Sequence, residues 1–137
     1  MMFGYSRAMV ALREVALMVI GDEEKAVRFM LGVKSNTMVE KFRDLCAPTF
    51  EPDQFDVLLG HIATLTDLYR RRNMIVHGEW WFNVFEGGEL TVRDWDREEG
   101  GPVHDETVTP ESLDVLAREF DEVSSDIGMF SYRPNAG

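Results

Sequence analysis

The sequence predicts a mainly α fold: a bundle of about five helices with a β-hairpin inserted before the last. Three observations carry that expectation. Apolar residues recur at alternating steps of three and four over most of the chain, the period of a helix with one buried face. The period changes to two after Gly78, where Trp80, Phe82 and Val84 alternate with Trp81, Asn83 and Phe85. At 137 residues the chain has room for one domain around one core.

The first helix runs from Met2 to Ile20, with Tyr5, Ala8, Leu12, Val15 and Val19 on its apolar face, and Gly21-Asp22 ends it. Asp22, Glu23 and Glu24 open a short second helix, since carboxylates favour the positive end of the helix dipole. It carries the apolar Val27, Met30 and Leu31 and closes at Gly32. Ser35 or Asn36 caps a third helix bearing Met38, Val39, Phe42 and Leu45, which stops before Pro48. The fourth helix starts at Pro52-Asp53. Its seam is Phe55, Leu58, Ile62, Leu65, Tyr69, Arg72 and Val76, and Gly78 is placed to end it in a left-handed cap.

Residues 79–96 then read as a β-hairpin, with Gly87-Gly88 at the turn and Leu90 and Val92 in the return strand. Residues 97–108, with Gly100-Gly101-Pro102 and many carboxylates, read as an exposed acidic loop. Thr109-Pro110-Glu111 is a capped helix start. The last helix, over 109–130, buries Leu113, Leu116, Phe120, Val123, Ile127 and Phe130.

Composition narrows the function classes. The chain is 45% hydrophobic, with nine Phe, three Trp and three Tyr, too apolar for a disordered segment. A single cysteine, Cys46, precludes an internal disulfide. The longest uncharged apolar stretch, Val15 to Gly21, is too short to span a membrane, and Arg7, Arg13 and Glu14 break up any signal-peptide core. A cytoplasmic address with no membrane contact is the expectation. The net charge of −11 is uneven. Residues 1–82 hold 10 basic against 11 acidic side chains, whereas residues 83–137 hold 4 against 14. General phosphate gripping calls for the opposite sign, so a nucleic-acid role must rest on a small local site.

The candidate for that site is Arg70-Arg71-Arg72-Asn73-Met74-Ile75-Val76-His77-Gly78. Three consecutive arginines take three different helix faces, and Arg72 falls in the apolar seam between Tyr69 and Val76. Asn73 and His77 are four apart and stack on one adjacent face. An arginine, an amide and an imidazole near the helix end can neutralise a phosphate, orient a hydroxyl and move a proton. The plainer alternatives remain open: Arg72 as a snorkelling arginine paired with Asp67 or Glu79, and His77 as a helix-end cap. Arg70 and Arg71 read as solvated, with Arg71 a candidate RNA contact.

Arg72-Asn73-Met74-Ile75-Val76-His77 resembles the R-N-x-x-x-H form of the motif that marks HEPN domains. Those are small helical bundles in which the motif closes a long helix, as it does in the fourth helix here. The resemblance implies a HEPN-like bundle, a homodimer with two motifs facing across the interface, and metal-independent ribonuclease chemistry without a cofactor. It implies Arg72 and His77 as catalytic residues and Asn73 as their support. Toxin–antitoxin or anti-phage biology, with an antitoxin or other protein partner, follows from the same resemblance. Glu79 stands where the silenced toxins carry the tyrosine of H-x-Y, which sets tyrosine-directed silencing aside.

The chemistry suits these residue types. Metal-free cleavage needs a base for the 2′-OH proton, an acid for the leaving 5′-oxygen, and a fixed positive charge at the phosphate. A second His77 from a partner copy separates the first two roles, and the apolar seam around Arg72 is expected to pack against its twin. Glu14, amid an apolar first helix, is a candidate to orient Arg72, and an exposed face beside Arg13 is its ordinary use. One of Trp80 and Trp81 is expected inward and the other outward, so Trp80 is a candidate for stacking a base. His61, His104 and Cys46 make no metal-ligand spacing, and Asp94, Asp96, Glu98 and Glu99 lack the glycine of a calcium loop. The competing function is a non-catalytic HEPN-type module that uses the bundle and the acidic third for protein binding or dimerisation. No Gly-rich phosphate loop supports a nucleotide-binding module.

Overall fold

The computed structural model describes residues 2–83, 88–96 and 101–132, and among these describes only the backbone of residues 2–6, 83, 94–96, 101–104 and 132. Five helices and three strands follow one another: α1 (Met2–Ile20), α2 (Glu23–Leu31), α3 (Met38–Cys46), α4 (Pro52–His77), β1 (Glu79–Asn83), β2 (Glu89–Asp96), β3 (Gly101–Val108) and α5 (Pro110–Gly128). A 3-10 turn, Met129–Tyr132, follows α5. The expected helical bundle with a β insertion before the last helix is the observed architecture.

The core lies where the four helices α1, α3, α4 and α5 meet. Leu12 and Val15 of α1, Phe42 of α3, Leu58, Ile62 and Leu65 of α4, and Leu116, Phe120 and Ile127 of α5 are fully enclosed. Aromatic edges lock the packing, with Tyr69 on Phe120 at 5.7 Å and Phe29 on Phe42 at 5.2 Å between ring centroids. The seam of α4 is therefore spent inside the chain's own bundle, and Val76 at its far end is 48% exposed. The expected packing of that seam against a twin is excluded for its buried part, because α5 and α3 already cover it.

Helix termini depart from expectation in instructive ways. α1 closes on Gly21, whose φ of 78° and N–H bond to the Leu17 carbonyl at 2.7 Å need a residue without a Cβ. α2 buries Ala26 while Val27 and Leu31 are exposed, since the small side chain lets this short helix lie close to α1. Thr37, and not Ser35 or Asn36, stands at the N-cap of the third helix, and its hydroxyl makes no cap because it is bonded to the Lys34 N–H and carbonyl in the preceding turn. Thr109 caps α5 as expected, accepting from the Ser112 N–H at 3.0 Å in a reciprocal capping box. Phe130 belongs to the 3-10 turn, where it packs edge-on against Phe50.

The larger correction concerns residues 97–108. Gly101–Val108 is a third strand, and the sheet order is β1-β2-β3 with antiparallel neighbours throughout. The carboxylates that read as a solvated loop are in part cross-strand partners. Asp105 lies opposite Arg93 and accepts from its Nε and Nη2 at 2.7 and 3.0 Å. Val108 turns inward with Val92 onto Met74 of α4, making a second, smaller core that seats the sheet on the end of the helix. Gly88 has a φ of 75°, while Gly87, Val84, Phe85 and residues 97–100 lie outside the described residues.

Candidate functional site

At the end of α4 the chain turns straight into β1, and that turn shapes the site. Gly78 donates its N–H to the Met74 carbonyl at 2.7 Å with φ −72° and ψ 170°, an extended conformation and not the left-handed cap the sequence suggested. Glycine is needed there for space. A Cβ would overlap the Met74 carbonyl and come within 2.7 Å of Val92 Cγ2 and 3.0 Å of the Arg93 carbonyl. The helix end thus rests directly on β2, with His77 at the junction.

A cleft of about 550 Å³ opens along this junction. Arg70, Asn73 and His77 line it from α4, one face of the helix at steps of three and four. Gly78, Glu79 and Arg93 line it from the sheet side. Ser35 and Asn36, before α3, close the opposite wall. His77 is exposed to this space, and Asn73 is half-buried.

Arg72 is not among the residues that line the cleft. Five residues separate it from His77, about 140° around the helix, so the two side chains leave on different faces. Arg72 reaches the site through its neighbour: Nη1 donates to Asn73 Oδ1 at 3.1 Å. The expected trio therefore divides into Asn73 and His77 in the cleft and Arg72 behind Asn73. Arg70 is the arginine near Asp67, at 4.0 Å.

The remaining candidates separate clearly. Glu79 lines the cleft. Glu14 does not; it is exposed in a groove between α1 and α5 together with Arg7. Arg71, expected on the surface, is a brace: its Nη2 lies 3.0 Å from Glu106 Oε1 and its Nη1 3.6 Å from Glu119 Oε2. That ties α4 to β3 and α5. Trp80 and Trp81 are both about half exposed, in place of one in and one out. The Trp80 indole N–H donates to the Ile75 carbonyl at 3.0 Å, which pins it to the helix end, and Arg93 stacks over Trp81 at 5.3 Å.

Two cleft residues escaped the sequence reading. Arg70 was legible as i−3 from Asn73 and i−7 from His77, but three arginines in a row obscure which of them shares that face. Arg93 becomes part of the site only through the strand register that sets it opposite Glu79. The hydrogen bonds that Arg93 donates to Asp105 push its pKa above the usual guanidinium value, so it is a cation at every working pH. The cleft is electrostatically mixed, with Arg70 and Arg93 facing Asp67 and Glu79.

His61 lies elsewhere, 3.9 Å from Asp126 and edge-on to Phe130. Among the described residues no three His, Cys, Asp or Glu side chains gather as metal ligands, and no helix is long and apolar enough to cross a membrane. The Cys46 thiol is buried, and desolvation pushes its pKa up to about 12, so it is no nucleophile. Comparison with protein-family models, with curated proteins and with solved structures gives no match for this chain.

Proposed function

We propose that the chain is a HEPN-like, metal-independent endoribonuclease whose reaction takes place in the cleft at the end of α4. The observation that carries the reading is the pairing of an exposed imidazole, His77, with an amide, Asn73, in one cleft, the amide held by the guanidinium of Arg72. In this reading an imidazole takes the proton of the ribose 2′-OH, whose oxygen attacks the adjacent phosphorus. The bond to the 5′-oxygen breaks, that oxygen takes up a proton, and the products are a 2′,3′-cyclic phosphate and a 5′-OH. Arg72, behind Asn73, holds the amide toward the crowded phosphate and adds its fixed positive charge from outside the cleft. A homodimer supplies the second His77 that separates base from acid. A toxin or defence effector in the cytoplasm, restrained by an antitoxin or other protein, is the biological setting the motif suggests.

The test is cleavage of total tRNA and mRNA in EDTA by wild type, Arg72→Ala and His77→Ala, each first shown to be folded. Cyclic-phosphate ends that vanish in both variants support the reading. A folded wild type that cleaves nothing overturns it. One observation favours the non-catalytic module instead: Asp67 and Glu79 offset the cations of the cleft, which suits a protein ligand better than a polyphosphate.

A further inference from the structure

β1 is an edge strand, and it is an unusual one. Within the described residues it pairs with β2 alone, and its sequence is Glu79-Trp80-Trp81-Phe82-Asn83, with a single charge. Natural sheets protect such edges with lysines, prolines or bulges, and this edge carries three large aromatics instead. Trp80 is 42% exposed, Trp81 48% and Phe82 62%. Leu90, opposite Phe82 on β2, is 43% exposed on the same face, and Val76 is exposed one turn away on α4.

We infer that the free edge of β1 pairs antiparallel with the β1 of a second copy of this chain, making one continuous six-stranded sheet. The strand is self-complementary in one register. A two-fold axis through Trp81 sets Trp80 opposite the partner's Phe82 and Glu79 opposite the partner's Asn83. The single carboxylate of the strand is thereby kept off its like. An axis perpendicular to the sheet keeps each face on its own side, so Trp80, Phe82 and Leu90 run on into their counterparts as one apolar band. At about 150–250 Å² per whole aromatic side chain, the exposed parts of the three rings amount to on the order of 300 Å² per copy before Leu90 and Val76 are added. Interfaces are roughly 60% apolar, so such a patch matches the low end of the stable range, about 600 Å² per side. The charge pattern of the strand does not oppose it. The copies each carry −11, yet the contact strand brings one carboxylate per copy, which keeps the repulsion away from the seam.

The pairing bears on the cleft, because β1 begins two residues after His77. Two clefts flank the shared strands, each walled by Glu79 of its own β1. With the axis at Trp81 the two Glu79 lie about 14 Å apart along the strands and the two His77 farther still, so each cleft holds one imidazole. The pairing goes beyond the ribonuclease reading, whose second His77 it does not supply, and is measured independently of any cleavage.

Sedimentation velocity of the full chain over a concentration series is the experiment, with Phe82→Lys and Trp81→Glu as variants and circular dichroism as the check on folding. Both positions are exposed, so the fold is expected to survive. Wild type sedimenting at twice the 15.7 kDa chain mass, and both variants at the monomer mass, is the expected result. Added salt is expected to tighten the wild-type dimer, since it screens acidic repulsion while leaving apolar contact intact. A wild type that stays monomeric, or a dimer that survives both substitutions, overturns the inference. A wild-type monomer that cleaves RNA overturns it and removes the second His77 from the ribonuclease reading, and a dimer that cleaves nothing overturns the ribonuclease reading alone.

Discussion

Arg71 Nη2 stands 3.0 Å from Glu106 Oε1, with both side chains less than a third exposed, and so a long helix is fastened to a strand 35 residues away. The other oxygen of Glu106, Oε2, is buried without a hydrogen-bond partner among the described residues, so the carboxylate depends on this one guanidinium. Removing Arg71 leaves a partly buried charge uncompensated. Arg71→Ala is expected to cost about 2 kcal/mol of stability, below the fully buried case because water still reaches the pair. Arg71→Lys should recover only part, since a point charge does not span Glu106 and Glu119 as the fork does. Urea unfolding of the two variants checks this, and an unchanged midpoint for Arg71→Ala would show the brace to be idle.

Gly78→Ala is expected to destabilise by about 2–3 kcal/mol, the range for overpacking a rigid contact. The added methyl meets Val92 Cγ2 and two backbone carbonyls, none of which is the loose end of a flexible side chain. Pairing the change with Val92→Ala should relieve part of the loss, because one of the three clashes is then gone. A thermal-melt double-mutant cycle measures that coupling.

Within the ribonuclease reading, the cleft residues should divide by kinetic role. Asn73→Ala removes an acceptor of Arg72 and the amide that lines the cleft, and is expected to lower kcat about 10–100-fold with little change in KM. Arg70→Ala, on the open wall, is expected to raise KM about 3–10-fold and leave kcat nearly intact. Saturation kinetics on a short RNA separates the two, and a kcat loss for Arg70→Ala would assign it to the chemical step.

Cys46 offers a readout of the core. Its thiol is pushed from 9.0 to about 12 by burial, so the neutral form is the one the fold tolerates. The corresponding stability is intact below the ordinary thiol pKa and drains away as pH rises from there toward about 12. Near pH 8 a thiol reagent is expected to modify Cys46 only as fast as the chain opens, so labelling should follow the denaturation curve. Rapid labelling of the native protein would mean that the α3 face is open.

The sequence was most legible where structure depends on local geometry. Steps of three and four placed α1, α4 and α5 along the chain, and Thr109-Pro110 marked a helix start whose capping box is present. The same spacing put Asn73 and His77 on one face, and they share the cleft. What failed depended on partners distant in the chain. The acidic residues of 101–108 became a strand because Arg93 and Val92 lay alongside to receive Asp105 and Val108. Val76 continues the α4 period yet faces solvent, because the bundle ends before it and the sheet takes Met74 instead.

Helices, their faces and the motif were thus determined by the sequence itself, since a period of 3.6 residues and a capping hydroxyl act within one turn. Only the tertiary structure decided that Arg72 stands behind Asn73, that Arg71 braces Glu106 and that Arg93 enters the cleft. Those outcomes turn on strand register and on which helix covers which face. Both are set by burying Met74, Val92 and Val108 together, a long-range demand that no local pattern records.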